Sequence, residues 1–124
     1  MAISLTEEDF VVKVFDYKNN KEWSFRGDRP AIIDFYANWC GPCKMLSPIF
    51  EKLSKKYENS IDFYKVDTDK EQDISSAIGV QSLPTILFIP IDGKPKVSVG
   101  FLQEDAFENI IKDFFGFSLQ NKII

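Results

Sequence analysis

Ala31-Ile32-Ile33-Asp34-Phe35-Tyr36-Ala37 runs directly into Asn38-Trp39-Cys40-Gly41-Pro42-Cys43. The first seven residues are a short apolar run of β-branched and aromatic types, which suits a central strand buried on both faces, with Asp34 in its middle. After Cys43, apolar residues fall at Met45, Leu46, Ile49, Phe50, Leu53 and Tyr57. That is the spacing of a helix with one buried stripe. The two cysteines therefore stand between a buried strand and the first turn of a helix. Pro48 removes the donor to the Lys44 carbonyl, so a kink is expected there.

Working outward, Thr6 and Asp9 form a capping-box pattern ahead of Phe10, Val11, Val14 and Phe15, which predicts a short first helix. Lys18 to Pro30 is polar and turn-rich, with Trp23 and Phe25 alternating inside it, and reads as a loop carrying a brief strand. Ile61 to Val66 alternates like a strand. Thr68 with Glu71 is expected to cap a short helix through Ile74, Ala77 and Ile78, ended by Gly79. Thr85 to Ile89 and Lys96 to Val99 flank Asp92-Gly93, a hairpin signal, and Ala106, Phe107, Ile110, Ile111, Phe114 and Phe115 form the stripe of a last helix. A βαβ unit followed by a ββα unit implies an α/β fold with one mixed sheet of four or five strands, covered on both faces by about four helices.

The 124 residues are 44% hydrophobic and 27% charged, the size and composition of one domain, here 1–124, with a core to 116 and a C-terminal extension over 117–124. Nineteen acidic against fifteen basic residues leave a net charge of −4, which offers no surplus for a nucleic-acid backbone or an anionic membrane. Neither is expected as a partner. No apolar run approaches the length of a membrane span. The chain has no histidine, so Cys-His and Ser-His pairs and imidazole metal ligands are excluded together. Zinc normally takes four ligands, and two cysteines without a third Cys or a His do not supply them, so no metal is expected.

Cys40 and Cys43 differ by three positions, and a bond between them closes too small a ring to constrain the unfolded chain much. A purely structural disulfide is a weak explanation. A thiolate at a helix N-terminus is favoured by the partial positive charge of the unpaired amides, so Cys40 should ionise more readily than a free thiol. Gly41-Pro42 makes the turn, and Cys43 is near enough to close a disulfide. The inferred reaction is attack of the Cys40 thiolate on a substrate disulfide, followed by attack of Cys43 on Cys40. Asp34 is the candidate base for Cys43, because a carboxyl in a buried strand has a raised pKa from desolvation. On burial alone, such a carboxyl can equally be a plain structural acid. Lys65, in the next parallel strand, is placed to reach the same carboxyl and moderate its charge, although a lone lysine is more often a snorkelling surface residue.

The run from Asp34 through Trp39-Cys40-Gly41-Pro42-Cys43 to Met45, together with Leu83-Pro84-Thr85, resembles the thioredoxin family, over about Ile3 to Phe115. The resemblance implies the thioredoxin fold, with Cys40 as attacking and Cys43 as resolving cysteine, Asp34 as the buried acid and Lys65 as its companion. It also implies a cis-proline at Pro84 facing the disulfide, and a flat apolar docking surface at Trp39, Ser82, Leu83, Gly100 and Phe101. No cofactor would be bound. The redox-active disulfide would be recharged by a thioredoxin reductase that draws on NADPH, and disulfide-containing proteins would be the substrates. The chain departs from the family pattern at Tyr36, where many members have tryptophan, in the longer 18–29 loop and in the extension over 117–124.

The expected activity is reduction of protein disulfides, favoured by Gly-Pro between the cysteines. The alternatives are an exported disulfide oxidase or isomerase and a thioredoxin-like binding subunit that needs no turnover. Met1 to Asp9 has neither the basic start nor the apolar segment of a signal peptide, so a cytoplasmic protein is expected, with a periplasmic one as the alternative if an export signal was trimmed. A monomer is the simplest state for a chain that offers one docking face to varied partners.

Overall fold

A computed structural model describes residues 1–117 and reveals nine elements. In chain order these are β1 (Ile3–Ser4), α1 (Glu7–Lys13), β2 (Ala31–Tyr36), α2 (Gly41–Lys56), β3 (Asp62–Asp67), α3 (Gln72–Ile78), β4 (Thr85–Ile89), β5 (Lys96–Val99) and α4 (Glu104–Phe115). The strands form one mixed sheet in the order β1-β3-β2-β4-β5. β3 pairs in parallel with both β1 and β2, while β4 runs antiparallel to β2 and β5. Most of the 117–124 extension lies outside the described residues.

β2 is central because its two faces are both apolar. Ala31, Ile33 and Phe35 join Phe10, Val14, Ile74, Leu87 and Ile89 in a core on the α1/α3 side. Ile32 points the other way, with Ile86 and Phe88 of β4, into a second core built by Leu46, Phe50 and Leu53 of α2 and Phe107 and Ile111 of α4. The alternation sends Asp34 to this second face, where its residue is only 2% exposed. Strand pairing thus places one carboxyl beneath α2, in line with the cysteines at that helix's start.

The capping box of α1 forms as its sequence implies: the Thr6 hydroxyl accepts from the Asp9 N–H at 3.2 Å, and the Asp9 carboxylate accepts from the Thr6 N–H at 3.2 Å. Thr6→Ala is expected to lower stability by about 1 kcal/mol, read as a lower urea midpoint at unchanged m-value. An unchanged midpoint would show that tertiary contacts, not the cap, fix this helix.

Four local expectations are corrected. The alternating Trp23 and Phe25 form no strand; both pack against the α1-side core, and Trp23 meets Phe15 in a tilted contact with ring centroids 4.9 Å apart. Thr68 does not cap α3, because its N–H and its hydroxyl both donate to the Tyr36 carbonyl, at 2.9 and 3.0 Å, and are spent extending the β2–β3 junction. α3 starts after Glu71 with no side-chain cap, and ends as expected at Gly79, whose φ of 86° is left-handed. Met45 is 60% exposed and lies off the buried stripe of α2. Ala106 and Phe114 are both exposed, the latter at 36%, so the buried stripe of α4 narrows to Phe107 and Ile111, with Ile110 and Phe115 half-buried. α2 runs through Pro48 as one helix from Gly41 to Lys56. Among the described residues no helix is long and apolar enough to cross a membrane.

Candidate active site

Cys40 is the N-cap residue of α2, in an extended conformation, and its sulfur accepts from the Cys43 N–H at 3.2 Å. Pro42 occupies the first turn, where its missing N–H leaves nothing unpaired. The two cysteines are joined as a disulfide with Cα atoms 5.3 Å apart. Both are nearly buried, at 5% and 4% exposure, among Ala37, Tyr36 and Leu83.

The pair opens onto two different spaces. On one side a groove of about 580 Å³ brings Cys40, Gly41 and Pro42 together with Trp39, Ser82 and Leu83. Thr68, Ser75, Val80 and Gln81 complete its walls. None of these four was expected at the site, since they reach the groove only through the turn after β3, through α3 and through the segment before β4. Trp39 is 72% exposed and is held at the rim by donation from its Nε1 to Asp69 Oδ2 at 3.1 Å. The Leu83–Pro84 peptide is cis. Gly100 donates its N–H to the Pro84 carbonyl at 2.8 Å, with a φ of 97° that favours glycine, and so sits beside the cis peptide. Phe101, by contrast, turns inward and packs against the α2/α4 core.

On the other side a cavity of about 240 Å³ brings Cys43 together with Asp34, Lys65, Tyr36, Lys44 and Ser47. Asp34 Oδ1 is buried there without a hydrogen-bond partner. Burial is the main reason that its pKa is pushed up from 3.8 to about 7; the Lys65 charge opposes that rise and the Glu51 charge adds to it. Lys65 lies opposite Asp34 in the β2–β3 register, but its ammonium pairs with Glu51 at 3.5 Å. Among the described residues, no group of three or more His, Cys, Asp or Glu side chains is arranged to hold a metal ion.

A disulfide on a helix N-terminus, with an open groove on one sulfur and a buried carboxyl beside the other, defines a thiol-disulfide exchange protein of the α/β class. Comparison with known proteins narrows this. The family model for thioredoxin matches residues 4–113. A thioredoxin of Borreliella burgdorferi strain B31 is 98% identical over 117 residues, which cover 94% of this chain and 100% of the relative. A thioredoxin of Malassezia sympodialis is 43% identical over 75 residues, covering 60% of this chain and 71% of the relative. Among solved structures, chloroplastic thioredoxin z superposes with a TM-score of 0.73 at 28% identity, covering 89% of this chain and 90% of its own. The chain belongs to the thioredoxin family and is a protein-disulfide oxidoreductase with a redox-active cysteine pair.

Proposed function

We propose that the chain reduces disulfides of other proteins in the cytoplasm, acting as a monomeric single domain that is recharged by a thioredoxin reductase drawing on NADPH. The observation that carries this reading is the division of the two sulfurs: Cys40 borders the open groove, and Cys43 borders the cavity that holds Asp34. The Cys40 thiolate attacks one sulfur of the substrate disulfide, and the other substrate sulfur leaves as a thiolate. Asp34 then takes the Cys43 proton, directly or through water, and the Cys43 thiolate attacks Cys40 and expels the second substrate sulfur. Two electrons pass from the dithiol to the substrate, and the Cys40–Cys43 disulfide is left to be reduced in turn. No resident cofactor is needed, because the electrons are held in that pair. Lys65 moderates the Asp34 charge, and Trp39, Ser82, Leu83, Pro84 and Gly100 offer the surface on which the substrate segment docks.

The reducing direction and the compartment stand together, since a reductant is kept reduced only in a reducing pool. Equilibration against glutathione and a dithiol buffer, followed by Trp39 fluorescence, is expected to place the pair near about −270 mV, the figure characteristic of thioredoxin itself. A value near about −120 mV would identify an oxidant and move the protein to an exported compartment.

A further inference from the structure

Among the described residues Glu51 is the charged side chain paired with the lysine beside Asp34, and we propose that it is a positioning residue: it holds the Lys65 ammonium and thereby sets how readily Asp34 exchanges its proton. The functional weight of that role rests on Asp34 being the base for Cys43.

The Glu51 carboxylate is held from two directions. Its Oε1 accepts the Ala2 N–H at 3.0 Å, which ties α2 to the residue just before β1, and lies 3.5 Å from the Ser54 hydroxyl. Its Oε2 lies 3.5 Å from Lys65 Nζ. Lys65 and Asp34 are register partners on adjacent parallel strands and both line the inner cavity. Lys65 therefore shares the cavity with Asp34, while its ammonium is paired with the more exposed carboxylate, that of Glu51. Glu51 draws the positive charge from Asp34 and adds a negative charge of its own, so both effects disfavour the Asp34 carboxylate. Burial remains the larger cause of the raised pKa, with Lys65 opposing it and Glu51 reinforcing it.

Among the described residues lining the cavity, Lys44 is the further charged side chain beside Asp34 and Lys65. β4 faces it with Ile86. On α4, Glu104 and Glu108 are paired with Lys52 and Lys56. From α2, Lys44 lines the same cavity, and Tyr36 of β2 lines it with its phenol pKa raised by burial and by Asp67 and Asp34. In the oxidised protein the cysteines carry no charge.

The test is a titration of the Asp34 side-chain carboxyl by carbon-13 NMR on the oxidised full chain, with Glu51→Gln, Lys65→Met and the double variant. Glutamine keeps an acceptor for the Ala2 N–H, and Glu51→Asp, which keeps the charge, serves as the second variant and should titrate closer to wild type. Glu51→Gln is expected to lower the midpoint by about 0.5 to 1 pH unit. Lys65→Met should raise it, and in that background the effect of Glu51→Gln should fall to less than half, because the ammonium it positions is gone. An unmoved midpoint in Glu51→Gln, or an equal shift in both backgrounds, overturns the proposal. The pH profile of mixed-disulfide release, measured on the same variants, separates the two readings. If the carboxyl midpoint moves and the release profile does not, Glu51 positions Lys65 as proposed but Asp34 is not the base.

Discussion

Cys40→Ser is expected to abolish catalytic reduction of insulin by dithiothreitol, to below about one part in a thousand of the wild-type rate. The hydroxyl of serine does not ionise at neutral pH and forms no bond to sulfur that exchanges with a thiol, so the first covalent step has no substitute. Cys43 cannot take over, because its sulfur borders the inner cavity and not the groove in which a substrate segment would lie. Cys43→Ser should lose multiple turnover to a similar degree for a different reason. Cys40 still attacks, but nothing within reach expels the substrate, and a mixed disulfide should accumulate and be visible as a stable mass adduct. Normal turnover in Cys40→Ser, or an adduct on Cys43 in that variant, would reverse the assignment of the two sulfurs.

Asp34→Asn should make the protein more stable at neutral and alkaline pH, by up to about 4 kcal/mol relative to the difference at pH 4. The carboxyl has a folded-state pKa of about 7 against an ordinary value of 3.8. Between those pH values the unfolded chain has released this proton and the folded chain still holds it. The unfolded state then binds fewer protons, so wild-type stability falls as pH rises through this window and levels off above about pH 7. Below about pH 4 both states are protonated and the penalty vanishes. Asparagine does not titrate, so its stability curve lacks this slope, and comparing the two proteins across pH cancels whatever the amide itself costs in the cavity. Urea unfolding at pH 4, 6 and 8 gives the result directly, and parallel curves would show that Asp34 is ionised in the folded protein without penalty. The same substitution should slow mixed-disulfide release by about tenfold or more, since the proposed general-base assistance to Cys43 is removed. Stability gained at the site of a rate lost is the expected signature of a buried group kept for its chemistry.

Glu51 and the groove residues Ser75, Val80 and Gln81 have no signature along the sequence, and Thr68 has a misleading one. Glu51 lies on a helix rich in charged side chains and gains its meaning from Lys65 and Ala2, far away along the chain. Thr68 fits a helix-cap pattern, yet the Tyr36 carbonyl at the end of β2 claims both of its donors. Trp23 and Phe25 alternate like strand residues because both are drawn onto Phe15 and its neighbours from a loop, which periodicity does not distinguish from a pleat. β1, at two residues, is too short to show any period, and it exists because the edge of β3 is there to receive it.

What the sequence by itself determined is the chemistry whose parts are close along the chain: the Cys40-Gly41-Pro42-Cys43 turn, its place between a buried strand and a helix start, Asp34 within that strand, and the order of the remaining elements. Each depends on spacing over a few residues, which the backbone geometry of one strand or one helix turns directly into position. The tertiary structure alone decided which side of the pair each sulfur faces, that Lys65 is bound by Glu51 while lying across from Asp34, and that Phe101 is drawn into the core beside α4. These depend on strand order and on how α2 packs over the sheet, where the energy of a contact is set by partners distant in sequence and no local pattern records the choice.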